Sequence, residues 1–334
     1  MKILVTGGAG YIGSHAVLAL LQRGDEVIVF DSLELGHSES IDRINANFDN
    51  KAILFQGDLR NSEDLQKLFR ENEGIEGVVH FAAFSLVGES MKDPQKYYFN
   101  NTCGSLNLFT EMQNNGVKNI VFSSTAATYG EPESIPIKED DRQEPINPYG
   151  QSKLMIEKIL DDFHSAYRMR SLRLRYFNAA GASRIANIGE DHSPESHLIP
   201  LTMQAALGQR DKLYMFGDDY DTPDGTCVRD YIHVEDLIDA HLLALDKMKS
   251  EDICDYMNLG TQEGLSVKQI FEKCKEVTGV NIPVEVTERR PGDPAKLVAD
   301  ASKAKTILGW EPKLGLQEII ESAWNWHKNN PEGY

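Results

Sequence analysis

Tyr149 and Lys153 lie four residues apart in Asn-Pro-Tyr-Gly-Gln-Ser-Lys (residues 147–153), and none of the other 11 tyrosines among the chain's 12 is followed by a lysine at that distance. Asn147 and Pro148 supply an N-cap and a first helical position, so the spacing predicts a helix that opens here with phenol and ammonium on one face. Such a pair can move a proton. A free phenol ionises near pH 10, so making it a base near neutrality takes roughly 3 units, or about 4 kcal/mol. Burial works against this, because it disfavours the phenolate. A positive charge at about 6 Å supplies roughly 3 kcal/mol at an effective dielectric of 20. One lysine is barely enough, and the positive ring of an oxidised nicotinamide would be a second such charge. The matching chemistry is removal of a proton from an alcohol while hydride leaves its carbon. Thr125, in Phe-Ser-Ser-Thr-Ala-Ala-Thr-Tyr-Gly (122–130), is suited to hydrogen-bond that alcohol.

A dinucleotide needs its own cradle. Gly7, Gly10 and Gly13 recur every third residue in Val-Thr-Gly-Gly-Ala-Gly-Tyr-Ile-Gly-Ser-His, after a first apolar run and before a helical pattern. Glycines there let the backbone turn tightly and approach a pyrophosphate at a helix N-terminus. Asp31 ends the second apolar run, where a carboxylate can accept from an adenosine ribose diol and would repel a 2'-phosphate; NAD is therefore expected over NADP. Asp58, in Gln-Gly-Asp-Leu-Arg, is placed near the adenine or is a solvated turn acid.

These residues must be positioned by a sheet. Lys-Ile-Leu-Val-Thr, Glu-Val-Ile-Val-Phe, Ala-Ile-Leu-Phe-Gln, Gly-Val-Val-His-Phe-Ala-Ala, Lys-Asn-Ile-Val-Phe-Ser-Ser and Leu-Arg-Leu-Arg-Tyr-Phe-Asn read as buried parallel strands. Helical patterns at 11–22, 62–71 and 102–115 fall between them, giving the βαβ rhythm of an α/β, Rossmann-like doubly wound sheet. The rhythm fails after Asn178. We expect a dinucleotide-binding domain over 1–178, rejoined by segments near 230–260 where Cys-Asp-Tyr-Met-Asn-Leu-Gly looks like one more strand, and a smaller α+β substrate lobe over 179–334.

The 334 residues carry a net charge of -18, which repels polyanions and argues against nucleic acid or an anionic membrane as partner. No apolar run approaches the length of a membrane span. Cys103, Cys227, Cys254 and Cys274 are scattered, with neither disulfide nor zinc spacing, so a reducing cytoplasm is expected. Glu190, His192 and His197 match no strong metal motif, and the chemistry needs no metal. His233 reads as a packed structural histidine.

Together the glycine loop, the Thr125 loop and the Tyr149/Lys153 pair resemble the extended short-chain dehydrogenase/reductase family. Asp-Gly-Thr-Cys-Val-Arg-Asp-Tyr-Ile-His-Val and Arg-Arg-Pro-Gly-Asp-Pro-Ala narrow the resemblance, which runs almost end to end, to its nucleotide-sugar epimerases. The resemblance implies a tightly held NAD and interconversion of UDP-glucose and UDP-galactose. It implies a cofactor site of Tyr11, Ile12, Asp31, Asp58, Leu59, Phe81, Ala82, Ala83, Asn100, Tyr149, Lys153 and Phe177. The UDP-hexose would meet Asn178, His197, Leu198, Phe216, Arg229, Arg290 and Asp293, besides Thr125 and Tyr149. The two arginines answer the charge problem an acidic protein faces with a diphosphate, whereas Arg289 reads as a surface ion-pair partner. A homodimer is also implied. Ser85 replaces a lysine common in the family near the nicotinamide, His197 a common Asn, and Thr125 a common Ser. Leu297 aligns where some members carry a bulky tyrosine beside the sugar, so room for an N-acetyl group is expected. A nucleotide-sugar 4,6-dehydratase is the nearest rival; that class carries an Asp-Glu pair after the loop threonine, where this chain has Ala126 and Ala127. A noncatalytic NAD-binding protein would be expected to have lost Thr125, Tyr149 or Lys153, and all three are present.

Overall fold

Each strand of the central sheet alternates its side chains between two apolar layers, and that alternation builds the molecule. The computed structural model describes residues 1–290 and 294–334. Its main sheet comprises β1 (Lys2–Thr6), β2 (Glu26–Asp31), β3 (Ile53–Gln56), β4 (Gly77–His80), β5 (Asn119–Thr125), β6 (Arg170–Tyr176) and a seventh strand, Cys254–Leu259. The order across the sheet is β3-β2-β1-β4-β5-β6 and then Cys254–Leu259, every neighbour parallel. All six strands expected in the first half are present. The seventh joins the sheet at β6, as the sequence suggests.

Ile3, Val5, Val27, Val29, Val79, Val121, Leu172 and Leu174 bury one face. They pack under α1 (Tyr11–Arg23) and the Val234–Ser250 helix, which contribute Ala16, Val17, Leu20, Leu237, Ile238 and Leu245. Leu4, Ile28, Phe30, Val78, Ile120 and Phe122 bury the other face. Their cover is Leu65, Leu68, Leu108, Phe109, Ile156 and Leu160, from the helices Ser62–Glu71, Gly104–Asn114 and Pro148–Tyr167. Fully burying one such side chain stabilises by about 1.5–3 kcal/mol, so both layers resist slippage of strand register.

The helix expected at 102–115 differs at its start. A wide π-type turn, Tyr98–Cys103, precedes the regular helix Gly104–Asn114. Asn101 explains the boundary: it is fully buried, its amide exchanges hydrogen bonds with the backbone of Phe84 at 2.9 and 3.0 Å, and it donates to Ser152 Oγ at 3.1 Å.

Beyond Asn178 the chain forms short strands and helices. The helices Leu198–Ala206, Val267–Thr278 and Leu316–Asn329 share an apolar core of Ile199, Met203, Ile270, Cys274, Ile319 and Ile320. Strand Asn178–Ala180 pairs with Tyr231–His233, and Leu213–Phe216 with Val284–Thr287. His233 is fully buried between Ser322 Oγ (3.1 Å) and the backbone N–H of Glu235 (3.1 Å), a packed histidine as expected. Among the described residues no helix is long and apolar enough to cross a membrane.

Candidate active site

The strand order reverses between β1 and β4, where open α/β sheets form a ligand crevice at their carboxyl edge. The loops after those strands touch. Ala82 N–H and Phe81 N–H both donate to Thr6 O, at 3.1 and 3.0 Å. Gly7 holds φ +69°, and a Cβ there would sit 2.6 Å from Ala82 N; a Cβ on Gly13 would lie 2.0 Å from Gly7 O. Both positions demand glycine for packing alone. At Gly10 the only neighbour within 4 Å is Gly7 O at 3.4 Å, so this face of the loop is open at the mouth of α1. A pyrophosphate fits such a cradle.

Asp31 closes the loop from below. Its carboxylate accepts from Ala9 N–H (3.0 Å) and Leu33 N–H (2.9 Å), and burial raises its pKa against those bonds. Asp58 is ion-paired to Arg60 at 2.6 Å; burial opposes ionisation there, but the Arg60 contacts prevail and lower its pKa. Leu59 is buried and accepts from Asn107 at its carbonyl, 2.9 Å. Tyr11 donates from its hydroxyl to Gly181 O at 2.7 Å, tying the start of α1 to the segment after β6. Ile12, Phe81, Ala82, Ala83 and Asn100 are all partly exposed. The residues present therefore fit an NAD-type dinucleotide running from Asp31 past Gly10 toward β5.

At the far end of that path β5 delivers Thr125, whose Oγ1 accepts from Ala127 N–H (3.1 Å) and caps the short turn Ala126–Thr128. The Pro148–Tyr167 helix opens as the sequence predicts, Asn147 Oδ1 accepting from Gly150 N–H at 2.8 Å with Pro148 at its first position. Gly150 lets this helix press on the Thr125 turn: a Cβ at 150 would lie 2.4 Å from Ala127 O. The approach sets the Tyr149 phenol beside Thr125, whose hydroxyl favours the phenolate. Tyr97 meets the Tyr149 ring edge-on at 6.5 Å.

The electrostatics differ in one respect from the sequence argument. Burial raises the Tyr149 pKa, and the opposing influence is the Thr125 hydroxyl rather than Lys153. Lys153 Nζ donates instead to Ser123 O at 2.8 Å and lies 4.8 Å above the Phe122 ring. Burial pushes the lysine down to about 7, with Glu157 one turn later pulling it back up. Glu157 is a positioning residue that sequence reading missed. It accepts from Ser124 Oγ and from Arg175 Nε (2.9 Å), while Arg175 Nη1 donates to Tyr129 OH at 2.9 Å. This buried network locks the helix to β5 and β6. Its sequence trace is a Tyr-Lys-Glu ladder at i, i+4 and i+8 and a strand, Arg170–Tyr176, whose arginines alternate with leucines, and neither names the partner of the other.

The substrate side is assembled from distant segments. Phe177 and Leu297 pack on the cluster of Ala126, Tyr129 and Ile137, which brings Leu297 against the Thr125 turn. Asn178 Nδ2 donates to Asp230 O at 3.3 Å. Arg229 pairs with Leu265 and Leu297 in a small sheet and donates to Val228 O at 2.8 Å. Arg290 stacks on Phe216 at 4.1 Å, whereas Arg289 is ion-paired to Asp219 at 2.6 Å, the surface pairing expected of Arg289. His197 and Leu198 start the Leu198–Ala206 helix. Asp293 lies outside the described residues. Glu190, His192 and His197, set aside as metal ligands on spacing, come together with Glu195.

Comparisons with known proteins agree with this fold. A family model described as GDP-mannose 4,6 dehydratase matches residues 4–323. The chain is 53% identical over 335 residues to a UDP-glucose 4-epimerase of Halalkalibacterium halodurans, covering 100% of this chain and 98% of the relative. The chain belongs to the UDP-glucose 4-epimerase family. A crystal structure of a UDP-glucose 4-epimerase superposes with a TM-score of 0.95 at 50% identity, covering 100% of this chain and 99% of that one. Another epimerase of the family, from Bifidobacterium longum in complex with NAD+ and UDP, gives a TM-score of 0.95 at 39% identity, with 100% of both chains covered. The Rossmann-like sheet described above is thus the epimerase fold.

Proposed function

We propose that the protein interconverts UDP-glucose and UDP-galactose with NAD held in the glycine-loop crevice. The observation that carries this reading is the packing of the Tyr149 helix start on the Thr125 turn at the carboxyl end of β5, on the path that begins at the open face of Gly10. When bound, the cofactor supplies a reversible acceptor for the C4 hydride and a positive ring beside the phenol.

The chain's own residues do the rest. Tyr149 takes the proton of the C4 hydroxyl, directly or through Thr125, and later returns it. Its burial makes this harder, so the phenol becomes a base when the cofactor's charge joins the favourable influence of the Thr125 hydroxyl. Lys153 and Glu157 hold the helix that aims it. Inversion requires the 4-keto sugar to present its other face while UDP stays fixed, so binding energy belongs on the nucleotide. Asn178, His197, Leu198, Phe216, Arg229, Arg290 and Asp293 are assigned to that grip, with the two arginines opposite the diphosphate. Gly7, Gly10, Tyr11, Ile12, Gly13, Asp31, Asp58, Leu59, Phe81, Ala82, Ala83, Asn100, Lys153 and Phe177 are assigned to NAD. In this reading residues 1–178, with the Val234–Ser250 helix and the strand after it, bind the dinucleotide, and the remainder binds the UDP-sugar. Ala126 and Ala127 offer no acid or base for eliminating water, which separates the reading from a dehydratase.

We further propose a homodimer in the cytoplasm. Phe99 (53% exposed) and Leu106 (40%) stand one stripe apart on adjoining helical turns, and Met155 (39%) is exposed on the neighbouring Pro148–Tyr167 helix. Exposed apolar side chains on helices that pack side by side favour a second copy of the same surface. All four cysteines are free, in keeping with a reducing compartment.

The test is purified protein mixed with UDP-galactose and no added cofactor. UDP-glucose should form without net accumulation of reduced NAD or of a dehydrated keto sugar. Tyr149→Phe should abolish turnover while UDP binding persists; a nearly normal rate in that variant removes the tyrosine from the mechanism.

A further inference from the structure

The loop from Gly189 to His197 gathers four side chains that the epimerisation chemistry does not use as a group. Taking one ligand atom from each of Glu190, His192, Glu195 and His197, all four lie within 4.8 Å of one another. His192 Nδ1 is 3.3 Å from Glu190 Oε1 and 3.7 Å from Glu195 Oε2, and His197 Nδ1 is 2.9 Å from both Glu190 Oε1 and Glu195 Oε1. Zinc bonds of about 2.0–2.2 Å to nitrogen and carboxylate oxygen set neighbouring corners of a tetrahedron roughly 3.3–3.5 Å apart. The four His–Glu edges, taken to either Glu195 oxygen, run from 2.9 to 3.7 Å and bracket that value, the shortest to Glu195 being a hydrogen bond from His197 Nδ1.

Ion pairing alone leaves one group unexplained. His192 Nδ1 is a buried atom of a side chain that is 30% exposed, and among the described residues it has no hydrogen-bond partner, although two carboxylate oxygens flank it. It is directed among the other three ligands without the alignment a hydrogen bond requires. A cation between the four would satisfy it. The carboxylates are also held in place beforehand. Glu195 Oε1 accepts from the backbone N–H of Ser196 (2.6 Å) and His197 (2.7 Å), which leaves Oε2 for a further bond. Glu190 is 5% exposed, and its backbone carbonyl accepts from Trp326 Nε1 at 2.9 Å. Two imidazoles with two carboxylates suit a borderline transition metal and are poorly matched to magnesium or calcium, which take oxygen ligands. Two carboxylates also balance a dication with both rings neutral.

We propose that Glu190, His192, Glu195 and His197 form a binding site for a divalent transition metal of the zinc class. Its place in the fold gives it a purpose. The His192 ring lies edge-on to Tyr11 at 6.4 Å, at the mouth of α1, and His197 precedes the Leu198–Ala206 helix of the second lobe. The ion fastens the 189–197 loop between these two helix starts. It takes no part in proton or hydride movement; the site shares His197 with the proposed grip on the UDP-sugar but stands apart from the reading of Thr125 and Tyr149.

The experiment uses the full-length, NAD-loaded protein, treated with EDTA, dialysed, and titrated with ZnCl2 against a chromophoric chelator. About one equivalent of zinc per chain should bind, and saturating zinc should raise the unfolding temperature. His192→Ala and Glu195→Gln should each weaken binding by at least about tenfold and remove the thermal shift, while NAD content shows that they remain folded. His164→Ala, whose Nδ1 faces Met169 O in another region, should bind as the wild type does. The proposal is overturned if the wild type binds no zinc, or if either cluster variant binds it with unchanged stoichiometry and affinity.

Discussion

Replacing Gly150 by alanine adds one methyl group at the point where the catalytic helix presses on the Thr125 turn. An ideal Cβ there lies 2.4 Å from Ala127 O, 3.0 Å from Ala127 C and 3.2 Å from Ala127 Cβ. Ordinary van der Waals contact begins near 3.4 Å, so helix and turn must separate by about 1 Å. No flexible side-chain end can absorb this, because the nearest obstacles are backbone atoms two residues beyond Thr125 and the insertion is adjacent to Tyr149. The displacement therefore falls on the relative placement of those two hydroxyls. Overpacking of this kind costs about 1–3 kcal/mol of stability. A misplacement of about 1 Å costs on the order of 100-fold in turnover. Steady-state conversion of UDP-galactose to UDP-glucose should show kcat falling by roughly that factor while KM changes little, because nucleotide contacts lie elsewhere. Gly88→Ala is the matched control: a Cβ there meets nothing within 4 Å, and activity should be unchanged. If Gly150→Ala folds, retains NAD and turns over within about threefold of the wild type, the contact does not position the pair, and the argument from geometry to catalysis fails.

Glu157→Gln leaves the fully buried Arg175 without its counter-charge, a loss of about 3–5 kcal/mol that should lower the unfolding temperature by roughly 6–10 °C in a calorimetric scan. Burial holds Lys153 at about 7, below its unfolded value of about 10.4. The unfolded chain therefore binds the extra proton between those values, and the lysine's contribution to stability rises with pH across that window. Urea midpoints of wild type minus Lys153→Met should accordingly increase from about pH 7 to about pH 10, and a flat difference would contradict the shift. Leu297→Tyr fills space beside Ala126 and Phe177, so it should depress turnover of UDP-N-acetylglucosamine at least about tenfold more than that of UDP-glucose. Turnover of the plain hexoses alone by the wild type would remove the basis for that expectation. Phe99→Glu with Met155→Glu places charge on the exposed apolar face and should convert a dimer to a monomer in light scattering.

The parallel sheet was legible because its strands are buried on both faces and read as continuous apolar runs, from Ile3–Val5 through Leu172–Leu174. The glycine loop and the opening of the catalytic helix were legible for a different reason: both rest on local rules of backbone geometry and capping. What escaped depends on contacts between distant segments. Nothing local in Arg175 announces that Glu157 and Tyr129 await it, and Asn101 looks like any polar helical residue until Phe84 and Ser152 close around it. The pull on Tyr149 was assigned to Lys153 by spacing alone, but the Ser123 carbonyl claims the ammonium. The exposed face of Phe99, Leu106 and Met155 was hidden for the same reason, since two helices must first be laid side by side.

The strand Cys254–Leu259 runs beside β6 only after the chain has travelled out through the second lobe and back. A gene cut after Asn178 would therefore strip β6 of its outer neighbour and remove Leu237, Ile238 and Leu245 from above the sheet. The nucleotide half would be left with a raw, apolar edge prone to aggregation. Because the sheet and its core draw on both parts of the chain, neither part should fold on its own. Variation in this architecture is confined to what its loops can carry.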